Sequence, residues 1–165
     1  MNKHMYKKLL FAGVLFIFAM LAFAFLPKTT STNYANTEKM VATETGIQFI
    51  EADWAKAVQE ARKQKKLIFI DAYTSWCGPC RMLKQNTFTD KAAGEYFNKH
   101  FINIALDMEK GDGLAFAEKY QIRAYPTLLI MDPDQKSVST SEGYINAGQL
   151  IEFGKYVINK LPKIN

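Results

Sequence analysis

Cys77 and Cys80 are the whole thiol inventory of this 165-residue chain, and two residues separate them. Thiols at that spacing have three chemistries open to them: a structural disulfide, half of a metal site, or a dithiol that exchanges electrons with other thiols. The structural bridge is the weakest reading, because so tight a loop removes little entropy from the unfolded chain and stabilises little. A zinc site needs four ligands; the chain adds only His4 and His100 and no second cysteine pair. No metal is expected, and no Gly-rich phosphate loop or other cofactor motif is present, so electrons must come from a partner. Exchange chemistry is served by a dithiol where a strand passes into a helix. Leu67-Ile68-Phe69-Ile70, just before the pair, reads as a buried strand, and Arg81-Met82-Leu83-Lys84-Gln85, just after it, as a helix to about Asn86.

The remaining elements must hold that junction in place. Gly46 to Glu51 alternates apolar and polar residues and predicts a short edge strand. Asp53 is the expected N-cap of a helix to about Lys65, with Trp54, Val58 and Ala61 on one apolar face and a basic C-terminal end. The buried strand spans Leu67–Tyr73. Thr89 or Asp90 starts a second helical piece, Lys91 to about Lys99, followed by a strand over Phe101–Leu106. Asp107–Gly113 reads as a solvated loop whose spacing does not fit an EF-hand. A short helix is expected over Leu114–Tyr120 and a third strand over Pro126–Met131. A turn at Asp132-Pro133-Asp134-Gln135 leads into a hairpin strand, Lys136–Gly143. Ala147–Lys160 closes as a helix with Leu150, Phe153 and Val157 on one face. Strands alternating with helices predict an α/β fold with a central mixed β-sheet flanked by helices on both faces.

Composition sets the class. Apolar residues make up 48% of the chain and charged ones 22%, which suits a globular domain. The net charge of +5 is inflated by Lys3, Lys7 and Lys8; without these three, 18 of the 21 basic side chains face 16 acids, a net of +2. That balance gives no footprint for nucleic acid. Leu9 to Leu26 is a run of eighteen uncharged residues behind those lysines, the pattern of an export leader. It is long for a signal peptide and just long enough to span a bilayer. Ala22-Phe23-Ala24 offers a cleavage site near Ala24, so residues 1–26 are expected as a signal peptide or an N-terminal membrane anchor. Both place the rest outside the cytoplasm, because the lysines stay inside. Residues 27–45, rich in Thr, Ser and Asn, read as a flexible linker, and residues 46–165 as the folded domain.

Phe69-Ile70-Asp71-Ala72-Tyr73-Thr74-Ser75-Trp76-Cys77-Gly78-Pro79-Cys80 resembles the active-site segment of the thioredoxin superfamily. Ile122-Arg123-Ala124-Tyr125-Pro126-Thr127-Leu128 resembles that family's second signature, in which a cis-proline faces the dithiol. Gly143-Tyr144 and Gly148–Phe153 resemble its last strand-to-helix passage, and the similarity covers roughly residues 47–160. The helical piece around residues 88–99 is similar to exported thioredoxin-like domains of bacteria. The resemblance implies a thioredoxin fold in which Cys77 is the nucleophile, its thiolate favoured at a helix N-terminus. Cys80, a turn further in and more buried, would resolve the mixed disulfide. The family's buried acid maps onto Asp71, implying a general base for Cys80. Many cytoplasmic members pair that acid with a lysine on the neighbouring strand, where Asn103 aligns here. Pro126 is expected to be cis, with Tyr125 presenting backbone to an extended substrate peptide. Trp76 is expected to shield the dithiol and to offer a flat apolar contact, and Trp54 to pack in the core.

The implied function is an exported, periplasmic thiol–disulfide oxidoreductase that reduces protein disulfides through the Cys77/Cys80 pair. Its expected partners are protein disulfide or dithiol substrates and an upstream electron-donor protein. Gly78-Pro79 is associated in this family with reducing members, whereas export places the dithiol in an oxidising space. The alternative is a non-enzymatic thioredoxin-fold binding or chaperone module.

Overall fold

The computed structural model describes residues 45–160; the leader, and the linker apart from Thr45, lie outside the described residues. Five strands form one mixed sheet in the order β1-β3-β2-β4-β5. The elements run β1 (Ile50–Glu51), α1 (Trp54–Gln64), β2 (Leu67–Tyr73), α2 (Gly78–Met82), a π turn (Leu83–Thr87), α3 (Lys91–His100), β3 (Phe101–Asp107), α4 (Gly111–Tyr120), β4 (Thr127–Met131), β5 (Ser137–Glu142) and α5 (Ala147–Lys160). β3 runs parallel to both β1 and β2, while β4 is antiparallel to β2 and to β5. Among the described residues, no helix is long and apolar enough to cross a membrane.

β2 is the central strand, and its sequence shows why. A strand covered on both faces carries a continuous apolar run, and Leu67 to Ala72 are all buried. Alternation then sorts its side chains. Ile68, Ile70 and Ala72 pack with Ala57, Val58 and Ala61 of α1 and Phe116 of α4. Leu67 and Phe69 pack on the other face with Leu83, Phe97 of α3, and Leu150 and Val157 of α5. Helices therefore cover both faces, as the alternating pattern predicts. Asp71 falls on the second face, the one against which the helix carrying Cys80 is laid.

The first strand is shorter than Gly46–Glu51. Only Ile50 and Glu51 pair with β3, because the residues before them bond elsewhere. Ile47 N–H donates to the Phe88 carbonyl at 2.7 Å and Gln48 N–H to Asn98 Oδ1 at 2.9 Å. At Gly46, φ is +133° and a Cβ would meet the Phe88 carbonyl, so the tight passage requires glycine. α4 starts at Gly111, three residues earlier than its apolar pattern indicates. Gly113 packs directly on the Asp107 carbonyl, leaving no room for a side chain, and Asp112 in the first turn accepts from Trp54 N–H at 3.0 Å. Trp54 is half-buried and packs edge-on against Phe116, 5.1 Å between ring centroids.

Candidate active site

β2 ends at Tyr73, and four residues later the chain turns into α2. Cys77 is the N-cap of α2, with extended backbone (φ −68°, ψ 114°), and its sulfur accepts the Cys80 N–H at 3.1 Å. Gly78 and Pro79 open the helix. Pro79 lacks an N–H, but a first-turn N–H has no intrahelical carbonyl to bond, so nothing is lost. Cys77 and Cys80 are joined as a disulfide, their Cα atoms 5.3 Å apart. Cys80 is the more buried, by a narrow margin: 1% exposed against 3% for Cys77. The turn is tied down by Cys77 N–H to the Thr74 carbonyl at 3.2 Å and by the Arg81 guanidinium, which reaches the Trp76 carbonyl at 3.3 Å.

Beyond Met82 the helix widens into a π turn, in which Phe88 N–H donates to the Leu83 carbonyl at 2.8 Å. Leu83 and Thr87 both face inward and are fully buried. The Thr87 hydroxyl donates to the Ile145 carbonyl at 2.7 Å, fastening the π turn to the approach to α5.

The second predicted stretch comes to the same place. The Tyr125–Pro126 peptide bond is cis. The Trp76 and Tyr125 rings meet edge-on, with centroids 6.0 Å apart and planes at 83°, joining the dithiol turn to the cis-proline loop. Trp76 is 62% exposed, so most of its ring is available to an incoming chain. Pro126 is held from just beyond β5 by Gly143 N–H donating to its carbonyl at 2.8 Å.

Asp71 is completely buried, and neither carboxylate oxygen has a hydrogen-bond partner in the protein. Burial pushes its carboxyl up to about 7; Lys84 pulls the other way and Glu51 adds to the rise. A carboxyl poised there exchanges a proton near neutrality. Asn103 does not sit beside it. The β2–β3 register sets Asn103 opposite Phe69 and places Ala105 opposite Asp71. The Asn103 amide instead donates to the Gln48 carbonyl at 3.2 Å and to Asn98 Oδ1 at 3.0 Å.

Two residues join the site that the sequence did not single out. Trp76 Nε1–H donates to Glu109 Oε1 at 2.9 Å. Glu109 follows β3, which lies parallel and in register with β2, so the loops leaving both strands emerge at one end of the sheet. That topology is the signal that marks the 108–110 connection between β3 and α4, expected as part of a longer loop over Asp107–Gly113, as a neighbour of Trp76. Asp107 shapes this loop by accepting Glu109 N–H at 3.1 Å and pairing with Lys110 at 2.9 Å. The hydrogen bond from Lys110 holds the Asp107 carboxyl below its ordinary range. Lys84 is the other addition; it lines a cavity shared with Asp71.

A family model described as thioredoxin-like matches residues 49–133. The chain belongs to the thioredoxin-like family. Thioredoxin-like relatives include the chloroplastic thioredoxin-like protein CITRX of Solanum tuberosum, 35% identical over 94 residues, which are 55% of this chain and 51% of that one. The thiol:disulfide interchange protein DsbD of Pseudoalteromonas atlantica is 27% identical over 64% of this chain and 18% of its own length. The chain thus spans about half the length, or less, of these curated relatives. Among solved structures, a proposed disulphide-isomerase from Bacteroides thetaiotaomicron is 37% identical with a TM-score of 0.63, over 73% of this chain and all of that one. The oxidised C-terminal domain of Neisseria meningitidis DsbD has the same fold at 17% identity, TM-score 0.53, over 62% of this chain and 90% of that one. The thioredoxin-like family is one of disulfide oxidoreductases, and in this thioredoxin-like domain Cys77 and Cys80 are joined to each other as a disulfide.

Proposed function

We propose that this chain is an exported thiol–disulfide oxidoreductase that reduces disulfides in protein substrates. The observation that carries the reading is the Cys77–Cys80 disulfide capping a helix laid on the sheet face that holds the buried, partnerless carboxyl of Asp71. The first residues support export: three lysines before eighteen uncharged residues, which would anchor the chain or be cleaved near Ala24.

In the reduced protein the Cys77 thiolate is the attacking group. The N–H that Cys80 aims at the Cys77 sulfur favours the negative charge. The thiolate attacks one sulfur of the substrate disulfide, and the other substrate sulfur leaves as a thiolate that takes a proton from water. Cys77 is now joined to the substrate. Cys80 gives its proton to the Asp71 carboxylate and attacks the Cys77 sulfur, which releases the second substrate thiolate and forms the Cys77–Cys80 disulfide. Two electrons pass to the substrate, which ends as a dithiol. Exchange in the opposite sense with an upstream donor dithiol restores the reduced pair. Trp76 and Tyr125 form the apolar contact for the substrate chain, Gly78 and Pro79 keep the approach to Cys77 low, and the backbone beside Pro126 aligns an extended segment.

The test is disulfide reduction on insulin with a supplied dithiol. Wild type turns over and Cys77→Ser does not. Cys80→Ser accumulates a covalent mixed disulfide visible by non-reducing electrophoresis and identifiable by mass spectrometry. Full turnover by Cys77→Ser would refute the assignment, as would client activity that persists in the double Cys→Ser variant.

A further inference from the structure

A cavity of about 230 Å³ lies between the segment leading into β1, the sheet and the π turn. Asp71 and Ala105 contribute from the sheet, Phe88 and Glu51 from its sides, and Lys84 is the one cation lining it among the described residues. Ala105, opposite Asp71 on the neighbouring strand, brings no charge. Glu51 brings a like charge. Asp107, opposite Tyr73, is already paired with Lys110 at 2.9 Å. Lys84 comes from the π turn, one helical turn beyond Cys80. Its ammonium is seated 3.5 Å from the centre of the Tyr73 ring. Tyr73 is two residues from Asp71 on β2 and so on the same face. A cation on an aromatic face is held in place without losing its charge.

We propose that Lys84 is a positioning residue for the resolving step: its ammonium, seated on Tyr73 beside the Asp71 cavity, is the counter-charge that lets the buried carboxyl ionise and accept the Cys80 proton. The strand next to Asp71 carries no such cation, and the helix that bears the dithiol provides it instead. The direction of Lys84's influence agrees: it lowers the Asp71 carboxyl against the burial that raises it. This rests on the reading of Asp71 as the base for Cys80, and the two are tested separately.

Lys84 is exposed, so its substitution leaves the core intact. The Asp71 carboxyl carbon is followed by NMR titration in the oxidised full-length protein, together with the pH profile of insulin reduction. Lys84→Gln is expected to move the Asp71 midpoint up by about one unit, the low end of the effect of a neighbouring opposite charge. Lys84→Glu moves it further, and Lys84→Arg leaves it near the wild-type position. A one-unit rise cuts the ionised fraction at pH 7 about fivefold, so Lys84→Gln reduces insulin about fivefold more slowly at pH 7 and recovers by about pH 9. An Asp71 midpoint unmoved in both Lys84→Gln and Lys84→Glu overturns the role of Lys84 and leaves the relay standing. If Asp71→Asn reduces insulin at the wild-type rate with the wild-type pH profile, the relay is overturned and the role of Lys84 falls with it.

Discussion

Asp71→Asn should make the oxidised protein more stable at alkaline pH than the wild type. The carboxyl titrates at about 3.8 in the unfolded chain and at about 7 in the fold. Its folded value is raised, so between those two pH values the native state binds more protons than the unfolded state. Stability from this group is therefore present in acid, falls as pH rises from about 4 to 7, and stays lost above that window. A difference of about three units, at ~1.36 kcal/mol each, amounts to at most about 4 kcal/mol. Asp71 is completely buried, so solvent screening takes little from it. Relaxation around a buried charge reduces the penalty below that ceiling, which gives a working range of about 2–4 kcal/mol. An amide in the same place has no charge to desolvate, although it inherits a site without partners, as the protonated acid does. The two proteins should thus lie within about 1 kcal/mol at pH 4 and diverge to about 2–4 kcal/mol by pH 8, with the variant ahead. The assay is urea unfolding of both oxidised full-length proteins, followed by circular dichroism from pH 4 to 8, with unchanged m-values as the check on two-state behaviour. His100, held below its ordinary range by burial and by Lys99 and Lys66, and Asp107, held low by Lys110, act in the opposite sense, losing stability as pH falls. They are common to both proteins and cancel in the difference. Stability curves separated by a constant offset across the whole range would refute the reasoning.

Two further substitutions probe the frame around the dithiol. Glu109→Ala removes the acceptor of the Trp76 indole N–H. It should raise KM for a protein disulfide by about two- to fivefold, the effect of one lost hydrogen bond, and lower Trp76 fluorescence anisotropy; unchanged KM and anisotropy would show that Trp76 needs no anchor. Gly94→Ala places a Cβ 2.5 Å from the Gly46 carbonyl carbon and oxygen. This backbone has no side chain to swing aside, so the loss in urea unfolding should be about 2–3 kcal/mol. Gly148→Ala, whose Cβ meets only Asn146 Oδ1 at 3.5 Å, is the control.

Most of the sheet was legible because its central strand is apolar on both faces and the helices beside it are amphipathic. The exceptions have local causes. Gly46–Gln48 alternates like a strand but gives its hydrogen bonds to Phe88 and Asn98, so β1 keeps only two residues. The first turn of α4 is Gly-Asp-Gly, which looks like a loop until the close approach of Gly113 to Asp107 is seen. In the site, Cys77, Cys80, Trp76 and Pro126 carry their own signatures. Lys84 and Glu109 do not, because ordinary surface charges gain a role only from what the fold brings to them. The strand neighbour of Asp71 depends on register: moving from Asn103 to Ala105 changes it from an amide to a methyl group.

The position of β2 in the sheet has a consequence for the clock on which this site works. The strand that leads into the dithiol turn is laddered on both sides, to β3 over seven residues and to β4 over five. Local opening there would break two ladders at once, so it belongs with the slowest-exchanging amides of the domain. The turn at its end, by contrast, carries the exposed Trp76. In the proposed reaction, exchange at the turn and breathing of the sheet are therefore separate events, because the turn lies outside both β2 ladders.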